Sequence, residues 1–197
     1  MSQADWAQSL ARALLEELLP QRWAHTQGVA ATARALAPVL GRHADVVTAA
    51  AWLHDIGYAP ALHGCDFHPL DGALYLRDVQ RADPLLCRLV AHHSCAGIEA
   101  AERGLADTLF REFKPAARGL SDALIYCDMT TGPQGQPVMV EERFTEIRAR
   151  YGSDHVVTRA LARSAPELAA AAARITGMPA GCVPARVLQV TVLVGAN

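Results

Sequence analysis

Little in this 197-residue chain invites a covalent framework. It has five cysteines, Cys65, Cys87, Cys95, Cys127 and Cys182; no two form a CxxC pair and the number is odd. That excludes a disulfide scaffold as the organising device and suits a reducing, cytoplasmic setting. Long apolar runs are also missing. No stretch approaches the roughly 18 to 20 residues that a membrane-spanning helix needs, so no membrane association is expected. The first ten residues hold Asp5 and no early basic cluster, which does not read as a secretory signal. Charge of one sign is absent too. Eighteen basic residues against twenty acidic ones leave a net charge of −2, so no nucleic-acid partner is expected from chain-wide electrostatics. Lysine is nearly absent: Lys114 is the only one, and the other basic residues are arginines.

What the chain does have is apolar content, 51% of residues, enough for a sizeable core. No internal repeat or low-complexity linker interrupts it. Helical periodicity runs through almost all of it. Asp5 to Leu19 spaces Trp6, Leu10, Leu14 and Leu18 four apart, and Pro20 stops that helix. Arg22 to Leu40 places His25, Val29, Leu36 and Leu40 near one face, with Pro38 ending or kinking its last turn. Asp45 to Ile56 is short and very apolar, with Gly57 as the C-cap. Residues 58 to 67 read as a loop, and Pro69 to Val79 and Pro84 to Cys95 as two further helices. Residues 96 to 115 are less regular. Ala116 to Met129, Val140 to Tyr151, and a region from an Asp154 N-cap to Ile175, interrupted near Pro166, complete the series. The expected fold class is therefore all-α. Residues 1–20 form an N-terminal helix, 21–178 the main helical domain, and 179–197 a tail of unknown role, in which Val183 to Val194 favours strand.

Three features disturb the apolar pattern. His54-Asp55 closes the run Ala49-Ala50-Ala51-Trp52-Leu53. Asp128 follows Leu124-Ile125-Tyr126-Cys127, and His25 lies on the apolar face of its own helix. A buried carboxylate is costly unless something compensates it. Two histidines and two aspartates on three helices can converge on one cation. Such mixed N/O ligands suit Mn, Fe, Co, Ni, Zn or Mg, with imidazole tilting the balance away from Mg.

The order His25, His54-Asp55, Asp128 resembles the HD-domain superfamily of metal-dependent phosphohydrolases. Arg22-x-x-His25 and the HDIG-like Leu53-His54-Asp55-Ile56-Gly57 carry the likeness, over roughly residues 20 to 130. The resemblance implies an HD-domain helical bundle and one or two divalent ions. His68-Pro69-x-x-Gly72 and the pair His92-His93 resemble extra ligands of two-metal members. Carried over, one ion would take His25, His54, Asp55 and Asp128, and a second His68, His92 and His93, with Asp55 bridging. The sequence has no GYP element after the histidine pair and carries Tyr58 where many members have lysine. The implied activity is hydrolysis of a phosphomonoester or phosphodiester in a small phosphorylated substrate, a nucleotide being the expected class. Asp55, His68, His92 and Arg22 are the candidate catalytic groups. A nucleotide-sensing module with little turnover and a two-iron oxygenase are the alternatives, and a homo-oligomer fits either. Arg77, Arg88, Arg118 and Arg143 are further candidate phosphate contacts, and Asp122 a candidate supporting group.

Overall fold

The structure, a computed structural model, describes residues 1–177 and is all helical apart from turns. Among the described residues there is no β-strand; Thr131 and Pro137 make one antiparallel bridge. The strand-like segment expected at Val183 to Val194 lies outside the described residues. No described helix is long and apolar enough to cross a membrane.

Helix α1 (Gln3–Leu15) begins at a capping box, in which Ser2 and Asp5 each accept the other's backbone N–H at 3.1 Å. Its buried face, Ala4, Ala7, Ala11 and Leu15, lies along α4 (Ala44–Leu53), whose middle is Ala49, Ala50 and Ala51. Small residues on both helices let the two axes come close. Pro20 does not stop α1. It opens α2 (Pro20–Ala35), since a first-turn proline gives up an N–H that has no helical partner. Pro38 likewise starts a separate turn, α3 (Ala37–Leu40).

Helix α4 ends at Leu53, three residues earlier than its apolar run suggests. Asp55 leaves the helical region (φ −102°, ψ 5°), and Ile56–Tyr58 forms a 3₁₀ turn. Gly57 is therefore not a C-cap. It packs against the start of α5 (His68–Asp78), where an added Cβ would lie 2.0 Å from the His68 carbonyl oxygen. We expect Gly57→Ala to cost about 3 kcal/mol or more, because main chain must move on both sides of the contact. Chemical denaturation checks this, and an unchanged midpoint would refute it.

The chain continues through α6 (Pro84–Ala91) and a 3₁₀ turn at His93–Cys95. The stretch expected to be irregular contains two short helices, α7 (Ala96–Glu102) and α8 (Ala106–Glu112). Helices α9 (Arg118–Met129), α10 (Val140–Tyr151) and α11 (Val156–Thr176) follow. Pro166 does not interrupt α11; packing against α9, α7 and α10 outweighs the one lost backbone bond. His155, not Asp154, caps it, accepting the Val157 N–H. One continuous core runs from Ala7 to Ala172, and α2, α4 and α9 pack on one another around its centre.

Candidate metal centre

Polar groups sit where those three helices meet. His25 projects from α2, His54 from the end of α4, and Asp128 from the last turn of α9; each is at most 5% exposed. Asp55 follows His54 directly, His68 opens α5, and His93 lies just past α6. Nitrogen and oxygen atoms of His25, His54 and Asp128 lie within 4.8 Å of one another, as do those of Asp55, His68 and His93. Asp55 stands between the two groups, with Oδ2 3.6 Å from His54 Nε2 and Oδ1 3.5 Å from His68 Nε2.

Three of the imidazoles are held the same way. Nδ1 of His25 donates to the Gly132 carbonyl (3.1 Å), Nδ1 of His54 to Ala51 (2.8 Å), and Nδ1 of His93 to Val90 (2.7 Å). In a neutral ring that leaves Nε2 a bare lone pair aimed inward, the arrangement by which metal-ligating histidines are oriented. The consequences are visible in the contacts. His54 Nε2 is buried with no hydrogen-bond partner. His25 Nε2 faces Asp128 Oδ1 at 3.0 Å, and His68 Nε2 faces His93 Nε2 at 3.1 Å. Two acceptors face each other at such distances only with a proton or a cation between them. The residues present therefore fit a divalent ion, and their imidazole and carboxylate donors suit a transition metal better than Mg or Ca.

The carrier of the His25 contact is a glycine pair. A Cβ on Gly28 would lie 2.4 Å from the Gly135 carbonyl oxygen, so only glycine lets the 132–135 turn come down on α2 and present the Gly132 carbonyl to His25.

Charge in the centre is balanced by arginine. Arg22 Nη1 donates to Asp55 Oδ2 at 2.8 Å, and Nη2 to the Tyr151 hydroxyl at 3.1 Å. Its guanidinium lies 3.8 Å over the Tyr58 ring, which stacks on His68 at 3.9 Å. Tyr58 thus fills a layer between Arg22 and His68. Arg143, 4% exposed, reaches to 3.6 Å from Asp128 and pairs with Glu146. Burial alone would raise the pKa of Asp55, yet the adjoining His54 ring, the Arg22 guanidinium and the His68 ring hold it well below the usual carboxylate range. Asp128 behaves alike: burial opposes ionisation, but the hydrogen bond with His25, the nearby His54 ring and the charge of Arg143 keep it ionised. Burial pushes His68 and His93 below the ordinary 6.5 and keeps both rings neutral.

That shift has a sign for stability. A histidine whose pKa is lower folded than unfolded takes up protons on unfolding, so its contribution is present above 6.5 and is lost as pH falls below it. Metal-stripped protein should lose stability between pH 6.5 and about 4.5, before the carboxylates of an unfolded chain begin to protonate. Urea midpoints at pH 7.5 and 5.0 test this; equal midpoints would count against it.

The expected site residues do not all gather here. His92, expected as a ligand and catalytic group, is turned away: as the C-cap of α6 it points outward, with Nε2 2.8 Å from the Phe113 carbonyl and its ring against Phe110. Neighbouring residues at a helix end diverge, so one of the pair faces in and the other does not. Arg77 pairs with Asp78 and Glu112, Arg88 holds the carbonyls of Lys114 and Pro115, and Arg118 lines a separate groove. Asp122 binds Arg174. Sequence reasoning missed Ser94, whose hydroxyl donates to Asp128 Oδ2. Ser94 and Cys95 are consecutive left-handed residues (φ 47° and 61°), a conformation unfavourable to both and left unmarked by any glycine or asparagine.

A helical bundle with two adjoining His/Asp triads at its centre is a scaffold suited to binding metal. Compared with models of known families, residues 22–127 match the HD domain. The chain belongs to the HD-domain family, a superfamily of metal-dependent hydrolases. No curated protein and no solved structure matches it.

Proposed function

We propose that the chain is a metal-dependent hydrolase of phosphoester bonds in a small phosphorylated molecule. The observation that carries this reading is the pair of adjoining triads, of which Asp55, His68, His93 and Asp128 line one cleft, with arginines set against both carboxylates. His25, His54 and Asp128 would hold one ion; Asp55, His68 and His93 would hold a second, with Asp55 positioned to touch both. Bound there, the metal supplies an acidified water and polarises the phosphoryl oxygen.

The remaining work falls to the chain. Arg22 lines the cleft with its guanidinium already oriented by Asp55, Tyr151 and the Tyr58 ring, so it meets an anionic group with little reorganisation. Arg143 lines the same cleft beside Asp128, and its Nε is buried with no partner. Two fixed cations, one beside each carboxylate of the centre, suit a phosphoryl group whose charge grows toward the transition state. The main-chain anchors on His25, His54 and His93 keep three Nε2 atoms directed inward throughout.

The test is direct. Protein stripped of metal and reloaded with Mn, Fe or Co is assayed for hydrolysis of a panel of alkyl, aryl and nucleoside phosphoesters, with metal content measured per chain. Metal-dependent hydrolysis of at least one ester of the panel is expected. Bound metal without hydrolysis of any phosphoester would overturn the reading.

A further inference from the structure

The cleft over the cluster is small and has two unlike ends. Its volume is about 90 Å³, against roughly 300–1,000 Å³ for sites that hold drug-sized ligands. One end is the charged centre. The other is mostly aliphatic, with Met129 on α9, Ile147 on α10, and Val157, Leu161 and Leu168 on α11, beside the polar Glu99, Arg150 and Ser164. The two aromatic rings on its wall are already engaged. Tyr58 lies between His68 at 3.9 Å and Arg22 at 3.8 Å, and Tyr151 lies against His155 at 4.8 Å with Arg150 5.0 Å from its ring centre. Neither ring is open for a planar base to stack on.

We infer that the organic part of the substrate is a short aliphatic chain of a few carbons, carried on a single phosphoryl group, and that nucleotides are excluded by size and by the lack of a stacking surface. This rests on the phosphoester reading of the metal centre. It extends that reading by naming what fills the apolar end: a chain whose methylenes leave water for the side chains of α10 and α11. A second phosphoryl group would need a further cation: Arg22 and Arg143 are taken by the first, and Arg150, the other arginine lining the cleft, is paired with Glu146.

Metal-loaded full-length protein is titrated by calorimetry with n-propylphosphonate, which cannot be hydrolysed, and with AMP. Turnover of n-propyl phosphate and AMP is measured in parallel. The phosphonate should bind at least tenfold tighter than AMP, with a similar ratio in kcat/KM for the two esters. Leu161→Ala should lengthen the preferred chain from propyl toward hexyl, and Leu161→Trp should weaken n-propylphosphonate while sparing inorganic phosphate. If a Leu161 variant does not fold, Ile147→Ala tests the same wall from α10 and should move the preference the same way as Leu161→Ala.

AMP binding as tight as the phosphonate, or wall variants that leave chain-length preference unchanged, would overturn the inference. Selective phosphonate binding with no turnover of either ester would uphold the size selection and remove the hydrolase reading. Failure of both probes to bind would remove both.

Discussion

Replacing His54 with alanine should lower phosphoester turnover by on the order of 10²–10³-fold or more and abolish the rise in melting temperature that added metal gives the native chain. The argument starts from a cost. His54 is fully buried, its ring fixed by the Ala51 carbonyl, and its Nε2 has no partner. A buried polar atom without a hydrogen bond costs about 1–3 kcal/mol. Removing the ring takes away that penalty along with the packing, so the metal-free variant should lose little stability. Ligand stabilisation behaves differently. At a metal concentration one hundred times the Kd, binding to the native state adds about 2.7 kcal/mol, and the variant forfeits it. Melting curves with and without Mn separate the two effects. A variant equally stabilised by metal would show that His54 is not a ligand.

Arg22→Ala should produce the largest stability loss, about 3–5 kcal/mol in metal-free protein, the usual result of stranding a buried charge. Asp55 is 3% exposed and makes its shortest ion pair with Arg22. With a cation beside it, Asp55 is compensated from the other side, so the same substitution should cost distinctly less in metal-loaded protein. Urea unfolding of both forms measures the difference. Equal losses in the two would mean that Asp55 does not face the metal. Arg22→Lys should lie between, since an ammonium keeps the charge but cannot reach Asp55 and Tyr151 together as the planar guanidinium does.

Much of the centre was legible before any coordinates. His54-Asp55 and Asp128 stood out because charged groups interrupt apolar runs, and burial of those runs carries the charges inward. His25 was legible from its helical face. His92 was misplaced because a run of residues does not show where a helix ends; α6 stops at Ala91, and that one residue decides which ring of the pair turns inward. Gly57 was read as a helix stop for a similar reason. A glycine needed for close packing looks, in one dimension, like one needed for a turn. Ser94 carried no signal at all, since its left-handed backbone comes from the surrounding packing and not from a residue that favours it. The proline readings were mixed: Pro38 breaks its helix as expected and starts a separate turn, whereas Pro20 opens α2 instead of stopping α1, and in α11 tertiary contacts override Pro166.

The two poles of the centre close over very different spans of chain. His25 and Asp128 are 103 residues apart, whereas His68 and His93 are 25 apart. Loop-closure entropy grows with the logarithm of the span, which favours the shorter approach by about 1 kcal/mol in an unorganised chain. During synthesis or refolding, the half formed by α5 and α6 can therefore assemble while α9 is still undocked, and arrival of Asp128 becomes the late event that seals the molecule.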